Sequence, residues 1–351
     1  MSFSPVYLLG MKRTPYLGNY LVSRQEEADW ELLILRSLIK EAFRGIVPEY
    51  MIHSCSLIAD RGAQLDCLKK DFEKIPTLFF RMDSSAFYGI EALWAASMHL
   101  ETLSHYYLRG GGLHSSNEKA FILSERISRE ELFEREALDI FTHEKIIKLE
   151  KLSAEGVFSP EILPVLLKEH VSSVQYFDLL PNKSFSLEDL LSLPALVDKI
   201  RGTLTQGNSS SLSTAYAGLA LSRHLEKAEL EINEIRFFKA INELTWKEFV
   251  CQSLRQWEEV IKRKLSDYSL IEFVEISAAQ SLTMEKALIE NFEIGPTIIN
   301  SFGGNLGRGI CPSIESWAIL GNFLHLSSEK TGLMIVTHSE GHLAFVQVRK
   351  L

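Results

Sequence analysis

Four cysteines in 351 residues, Cys55, Cys67, Cys251 and Cys311, show no CxxC spacing. That excludes a disulfide framework and fits the reduced thiols of the cytoplasm. No stretch approaches the ~20 consecutive apolar residues of a membrane span. Lys and Arg number 37 against 46 Asp and Glu, a net charge of −9, so the basic face of a general nucleic-acid binder is missing. No GxSxG elbow occurs, and the glycine-rich "GGNLGRG" (Gly303 to Gly309) has neither the Walker Lys-Ser/Thr nor the GxGxxG spacing that cradles phosphate. "MSFSPVYLLGMKRTP" places its basic residues after a short apolar strand, the reverse of a signal peptide. The expectation is a cytoplasmic protein with no membrane or nucleic-acid partner.

What is present is a large apolar fraction, 46%, enough for one large or two ordinary domains. Short apolar runs alternate with amphipathic segments, which predicts an α/β fold. Val6 to Leu9 reads as a strand. "EADWELLILRSLIKEAF" reads as an amphipathic helix with apolar residues at Trp30, Leu33, Leu35, Leu38 and Phe43. "EYMIHSCSLIA" and "TLFFRM" read as two further strands, Ser85 to Leu103 as a helix, and "KAFILSER" as another strand. The polar run "TQGNSSSLST" suggests a surface connection. Beyond it the pattern restarts. "LALSRHLEKA" (Leu219 to Ala228) follows the register of "LILRSLIKEA" (Leu33 to Ala42), and "LIEFVEISAAQSLTMEKALIENF" repeats the strand, small-residue elbow and helix found around Asp83. The expectation is a duplication, with halves at residues 1–180 and 181–351.

The stretch "FFRMDSSAFYGIEALW" places Asp83, Ser84 and Ser85 at the tight turn between a strand and a helix. Asp and Ser are also among the best helix caps, so capping alone accounts for them. Ser84 or Ser85 would act as a nucleophile only with a base nearby, His338 or His342 being the candidates. Those histidines are four apart but sit in a strand–turn–strand pattern rather than on one helical face, which disfavours a metal site. Arg308, inside the glycine-rich stretch, is a candidate counter-charge for Asp83 or a solvated loop residue.

Four stretches resemble the thiolase superfamily, and in particular its β-ketoacyl synthase III-like condensing enzymes. They are "MKRTPYLGNYL", "MDSSAFYGIEAL", "GGNLGRGICPSIESWAIL" and "THSEGHLAFVQVRKL", in the family's order. The resemblance implies a five-layered αβαβα fold built from two similar halves. It also implies a cysteine nucleophile at a helix N-terminus, which lowers its pKa, and a His or Asn that stabilises the oxyanion. On this alignment the cysteine position is Asp83 and the His position is Ala279, while Asn305 is retained. A thiolate-dependent condensation cannot run through these residues. The resemblance therefore implies a catalytically degenerate subunit like the chain-length factors of type II polyketide synthases. Such a subunit forms a heterodimer with an active ketosynthase and shapes the acyl tunnel, and it needs no cofactor of its own. The acyl-phosphopantetheine of a visiting acyl carrier protein would be an indirect ligand. Phe87, Tyr88 and Trp94 are candidate tunnel or interface residues. The competing expectation is a stand-alone acyltransferase or thioesterase-like enzyme using Ser84 or Ser85.

Overall fold

The structure, a computed structural model, describes residues 5–18, 20–48, 50–55, 77–81, 88–99, 105–111, 118–167, 173–176, 178–179, 185–225, 227–311 and 314–351. Five strands belong to a first group: β1 (Val6–Arg13), β2 (Tyr50–Cys55), β3 (Thr77–Arg81), β4 (His105–Gly111) and, much later, β7 (Tyr216–Ser222). A second group holds β8 (Leu230–Phe238), β9 (Leu270–Val274), β10 (Thr331–Thr337) and β11 (Leu343–Lys350). A small hairpin, β5 (Val165–Leu167) and β6 (Ser173–Gln175), stands apart.

The large sheet runs β3-β2-β4-β7-β1-β8-β11-β10-β9. From either end inward, the pairing is parallel and then antiparallel: β2 lies parallel to β4 and β4 antiparallel to β7, while β9 lies parallel to β10 and β10 antiparallel to β11. Among the described residues, the two groups of strands pair where Val6, Tyr7 and Leu8 face Ile232, Glu231 and Leu230. That mirrored order is the mark of a duplicated unit, and the expectation of two similar halves holds at the level of topology. Strand membership changes between Ser222 and Leu230.

Helices fill three layers because successive strand side chains point to opposite faces. Leu270, Val274, Met334 and Val336 face a central cluster, while Ile271, Phe273, Leu333 and Ile335 face the other way. The central cluster takes Ile90 and Leu93 from α2 (Tyr88–His99) and Trp317 and Leu320 from α8 (Glu315–Asn322). The first outer layer is α1 (Arg24–Glu41), which buries Trp30, Ile34, Leu35 and Leu38 on β1 and β7. The second outer layer is α6 (Trp246–Ile261) and α7 (Ala278–Phe292). The result is the αβαβα arrangement. α1 and α6 start on capping boxes, Ser23 with Glu26 and Thr245 with Glu248.

Three sequence expectations change. "KAFILSER" belongs to a helix, α3 (Glu118–Glu130), whose buried Ala120, Leu123, Ser124, Ile127 and Ser128 follow helical spacing. Leu219 to Ala228 covers the end of β7 and a loop, so its register match to α1 pairs a strand with a helix. The polar run 205–214 is interior: Thr205, Asn208, Ser209, Ser210, Ser213 and Thr214 are all buried. Its backbone bonds the second half, Ser210 N–H to Ile276 O at 2.8 Å and Ser213 N–H to Ile310 O at 2.9 Å. Short hydroxyl side chains satisfy the remaining groups, as Ser209 Oγ does with Thr205 O at 2.8 Å.

Candidate functional site

The strand–turn–helix motif of the first half ends in α2, the first helix of the central layer. Asp83, Ser84, Ser85 and Phe87 lie outside the described residues, and only the backbone of Tyr88 is described. The first turn of α2 is held at Gly89. A Cβ there would stand 2.2 Å from Ser316 Oγ and 2.7 Å from Trp317 Nε1, so glycine is the residue that allows this approach. The indole Nε1–H of Trp317 donates to Gly89 O at 3.0 Å. The two central helices thus meet at their N-terminal ends, one from each half.

This contact identifies which turn of the second half matches the turn at Asp83. In the first half that turn follows the third strand in sequence. In the second half the third-strand position is taken by Ile299, bridged in parallel to Ile271. The segment after it, residues 300–311, precedes α8. The counterpart of the Asp83 turn is therefore the glycine-rich loop. Ala279 follows the second strand instead. It sits on α7 in an outer layer, fully buried, in the cluster with Trp257 and Phe273. Any apolar strand followed by small residues and a helix gives the same sequence signal, which is why the two elbows looked alike.

Asn305 lies in the glycine loop, but its amide is committed. Its Oδ1 accepts the Glu275 N–H at 2.8 Å, and its Nδ2 donates to Glu275 O at 2.5 Å and Ser210 Oγ at 3.3 Å. The side chain pins the loop to the end of β9 and offers no spare donor of the sort an oxyanion needs. Asn305→Ala is expected to cost about 1–3 kcal/mol of stability, because the buried Glu275 N–H loses its acceptor. Urea unfolding of the purified variant measures this. Beside it, Gly304 at φ +64° lets Glu275 come close: a Cβ would stand 2.4 Å from Glu275 Oε1.

A buried ionic cluster underlies the loop. Arg13, at the end of β1, is fully buried; its Nη1 and Nη2 reach Asp178 at 2.6 and 3.0 Å, and its Nε reaches Glu161 at 2.7 Å. Arg308, also fully buried, has its Nε 3.8 Å from Asp178 and its guanidinium 4.6 Å from the Phe158 ring centroid. The solvated-loop reading of Arg308 is therefore replaced: the glycines around it fold it inward. Burial alone would raise the Asp178 pKa, but Arg13 and Arg308 hold it below the ordinary Asp value. Tyr16 Oη donates to Glu315 Oε2 at 2.7 Å, and burial raises the Glu315 pKa to about 7. Glu272 is likewise raised to about 7 by burial, and Glu275 is pushed well above its usual range by burial. Sequence reading missed Arg13, Tyr16, Asp178 and Glu315. Arg13 and Tyr16 stand inside "MKRTPYLGNYL" and Glu315 inside "GGNLGRGICPSIESWAIL", but nothing local marks them as partners of one another or of Asp178.

Trp94 is 40% exposed on α2, a position that suits an interface better than an enclosed tunnel. His338, Glu340 and His342 bring ligand atoms within 4.8 Å of one another. Each imidazole, however, accepts a backbone N–H on Nδ1, from Glu340 at 2.9 Å and from Ala240 at 3.0 Å. The ring proton then sits on Nε2, leaving no lone pair for a metal. Burial lowers the His338 pKa to about 4.

The model of the thiolase N-terminal domain matches residues 88–224. The solved Acat5 thiolase of Ascaris suum, in complex with coenzyme A, superposes with a TM-score of 0.81 over 99% of this chain and 100% of that one, at 18% identity. The chain has a thiolase-like fold. An acetyl-CoA acetyltransferase of Bacillus anthracis superposes with a TM-score of 0.78 at 17% identity, covering all of both chains. The peroxisomal 3-ketoacyl-CoA thiolase of Saccharomyces cerevisiae is 32% identical over 111 residues, 32% of this chain. The matched stretch spans about a quarter (26%) of that thiolase's length. The matches thus name thiolases, where the sequence resemblance had pointed to β-ketoacyl synthase III-like members. Among the described residues, no helix is long and apolar enough to cross a membrane.

Proposed function

We propose that this chain is a thiolase-fold subunit that brings no thiol to the turn ahead of α2. It would serve as the partner of a complete condensing subunit, in the manner of a chain-length factor beside a ketosynthase. Acyl groups would arrive as phosphopantetheine thioesters on a carrier protein, and this chain would shape the space that receives them. One observation carries the reading: the polar group retained in the loop ahead of α8, the Asn305 amide, is fully used in holding β9. The sequence of the α2 turn points the same way, with Asp83, Ser84 and Ser85 and no cysteine. A carboxylate there is a poor acyl acceptor and repels an incoming carbanion.

Co-expression with a thiolase-like or ketosynthase subunit tests this. The expected result is a co-purifying heterodimer in which Ser84→Ala leaves product formation unchanged, while Phe87→Ala, Tyr88→Ala or Trp94→Ala alters product length. Turnover of an acyl thioester by the isolated chain, or covalent labelling of Ser84 or Ser85 by an acyl probe, would overturn it.

A further inference from the structure

β1 changes neighbours along one of its edges. At Leu8 that edge pairs with Leu230 of β8, and Glu229 N–H donates to Leu8 O at 2.8 Å. At Arg13 it meets residues 161–163 instead: Arg13 N–H donates to Glu161 O and Leu163 N–H to Arg13 O, both at 2.8 Å. The opposite edge, against β7, shows which groups face the stretch between. Thr14 N–H donates to Tyr216 O at 2.8 Å, so that opposed pair is hydrogen-bonded, and along an antiparallel ladder such pairs alternate with unbonded ones. Lys12 with Gly218 is therefore bonded, whereas Arg13 with Ala217 and Met11 with Leu219 are not. Met11 thus turns its N–H and C=O away from β7, to the side where Arg13 meets Glu161 and Leu163. Among the described residues no group bonds either of them. Met11 is 4% exposed, and buried main-chain groups left without partners are costly.

A cavity of about 340 Å³ opens on this stretch of strand edge, at the small end of the range for small-molecule sites. Glu229 closes it at one end and Pro160 at the other, while the ends of α1 and α8 cover its two faces. The charged groups on its wall are committed to one another: Glu41 to Lys12, Glu161 to Arg13 and Glu229 to Lys350. Recognition falls to the bare edge at Met11 and to the apolar wall of Leu9, Leu38, Val157 and Leu324. A strand edge of this kind is satisfied by an extended group that offers one carbonyl and one N–H to the same residue.

We propose that this cavity binds a small neutral ligand of the N-acyl amino acid amide class, a single extended aminoacyl unit with an apolar side chain. Its carbonyl accepts the Met11 N–H, its N–H donates to Met11 O, and its side chain lies against Leu38, Val157 and Leu324. A longer peptide strand has no path, because Glu229 and Pro160 stand at the two ends of the open edge. The site is separate from the loop ahead of α8, and the inference stands whatever the outcome of the partner experiment.

The test uses the full chain with three probes: N-acetyl-leucine methylamide, its analogue methylated on the leucine nitrogen, and N-acetyl-trileucine methylamide. Calorimetry and thermal shift are expected to show saturable binding of the first, with the methylated analogue at least about ten-fold weaker because Met11 O loses its donor. The trileucine probe should bind no more tightly than the single unit. In protein labelled with 15N-methionine, the Met11 amide, identified as the resonance missing from Met11→Leu, should shift on titration and exchange more slowly with solvent. Leu324→Trp, which fills the cavity from its rim, should abolish binding; if that variant folds poorly, the Met11 amide of the parent decides alone. No binding, equal binding of the methylated analogue, tighter binding of the trileucine probe, an unmoved Met11 amide or full binding by folded Leu324→Trp would each overturn the assignment.

Discussion

Arg13→Met is expected to lower stability by roughly 3–5 kcal/mol, the penalty for removing one member of a buried charge cluster. Arg13 holds Asp178 through two nitrogens and Glu161 through Nε, and it is fully enclosed. Without it, two carboxylates remain in the interior, and Arg308 approaches Asp178 only to 3.8 Å. Domains of this kind have about 5–15 kcal/mol in total, so the variant should be recovered mainly in inclusion bodies. Arg13→Lys should rescue only part of the loss, because an ammonium cannot reproduce a planar fork on Asp178 while still reaching Glu161. The double variant Arg13→Met with Glu161→Leu should be less damaged than Arg13→Met alone, since it removes one of the two stranded carboxylates and leaves Asp178 beside Arg308. Soluble yield and urea midpoints measure all three. An Arg13→Met protein within about 1 kcal/mol of the parent would show that the cluster does not hold the halves together.

The same cluster shows what one-dimensional reading reaches and what it does not. Strand β1, helix α1, the β9–α7 pair and the terminal hairpin were legible because each declares itself within ten or so residues through its apolar spacing. The duplication was legible too, though through a false register match; its real signature is the mirrored strand order, which only pairing reveals. The apolar "AFIL" run in α3 imitates a strand, and the helical signal lies in the wider spacing of Ala120, Leu123 and Ile127. The buried serine-rich run could not be recognised, since composition does not show that Ser209 and Ser210 find backbone partners. Arg13 and Asp178 stand 165 residues apart. No local pattern connects them, and a charged residue is ordinarily assigned to the surface. The turn at Asp83, the most conspicuous feature of the sequence, lies outside the described residues, so its chemistry still rests on the residue types alone.

The buried carboxyls should make the protein lose stability as the pH rises through the weakly acidic range. Glu272 and Glu315 each have a pKa of about 7 in the fold, raised by burial from 4.5. Below about pH 4.5 both states hold the proton and neither group affects the balance. Between 4.5 and 7 the unfolded chain releases it while the folded chain keeps it, so each step of pH favours unfolding. Above about 7 both are ionised and the loss is complete, roughly 3 kcal/mol for each group. Glu275 shifts in the same direction. His338 works in the opposite sense, because its pKa falls from 6.5 to about 4 and the unfolded state takes up the proton first. A single stability curve therefore mixes both trends, and a variant separates them. Glu315→Gln keeps a side chain of the same shape for the Tyr16 hydroxyl and the Cys311 N–H, which the carboxylate accepts at 2.7 and 3.3 Å, but removes the titration. Its stability relative to the parent should rise by roughly 3 kcal/mol between about pH 4.5 and about pH 8. Parallel curves for the two proteins across that range would mean that Glu315 ionises in the fold as it does in the unfolded chain, and that the interior beneath the glycine loop is wetter than its packing implies.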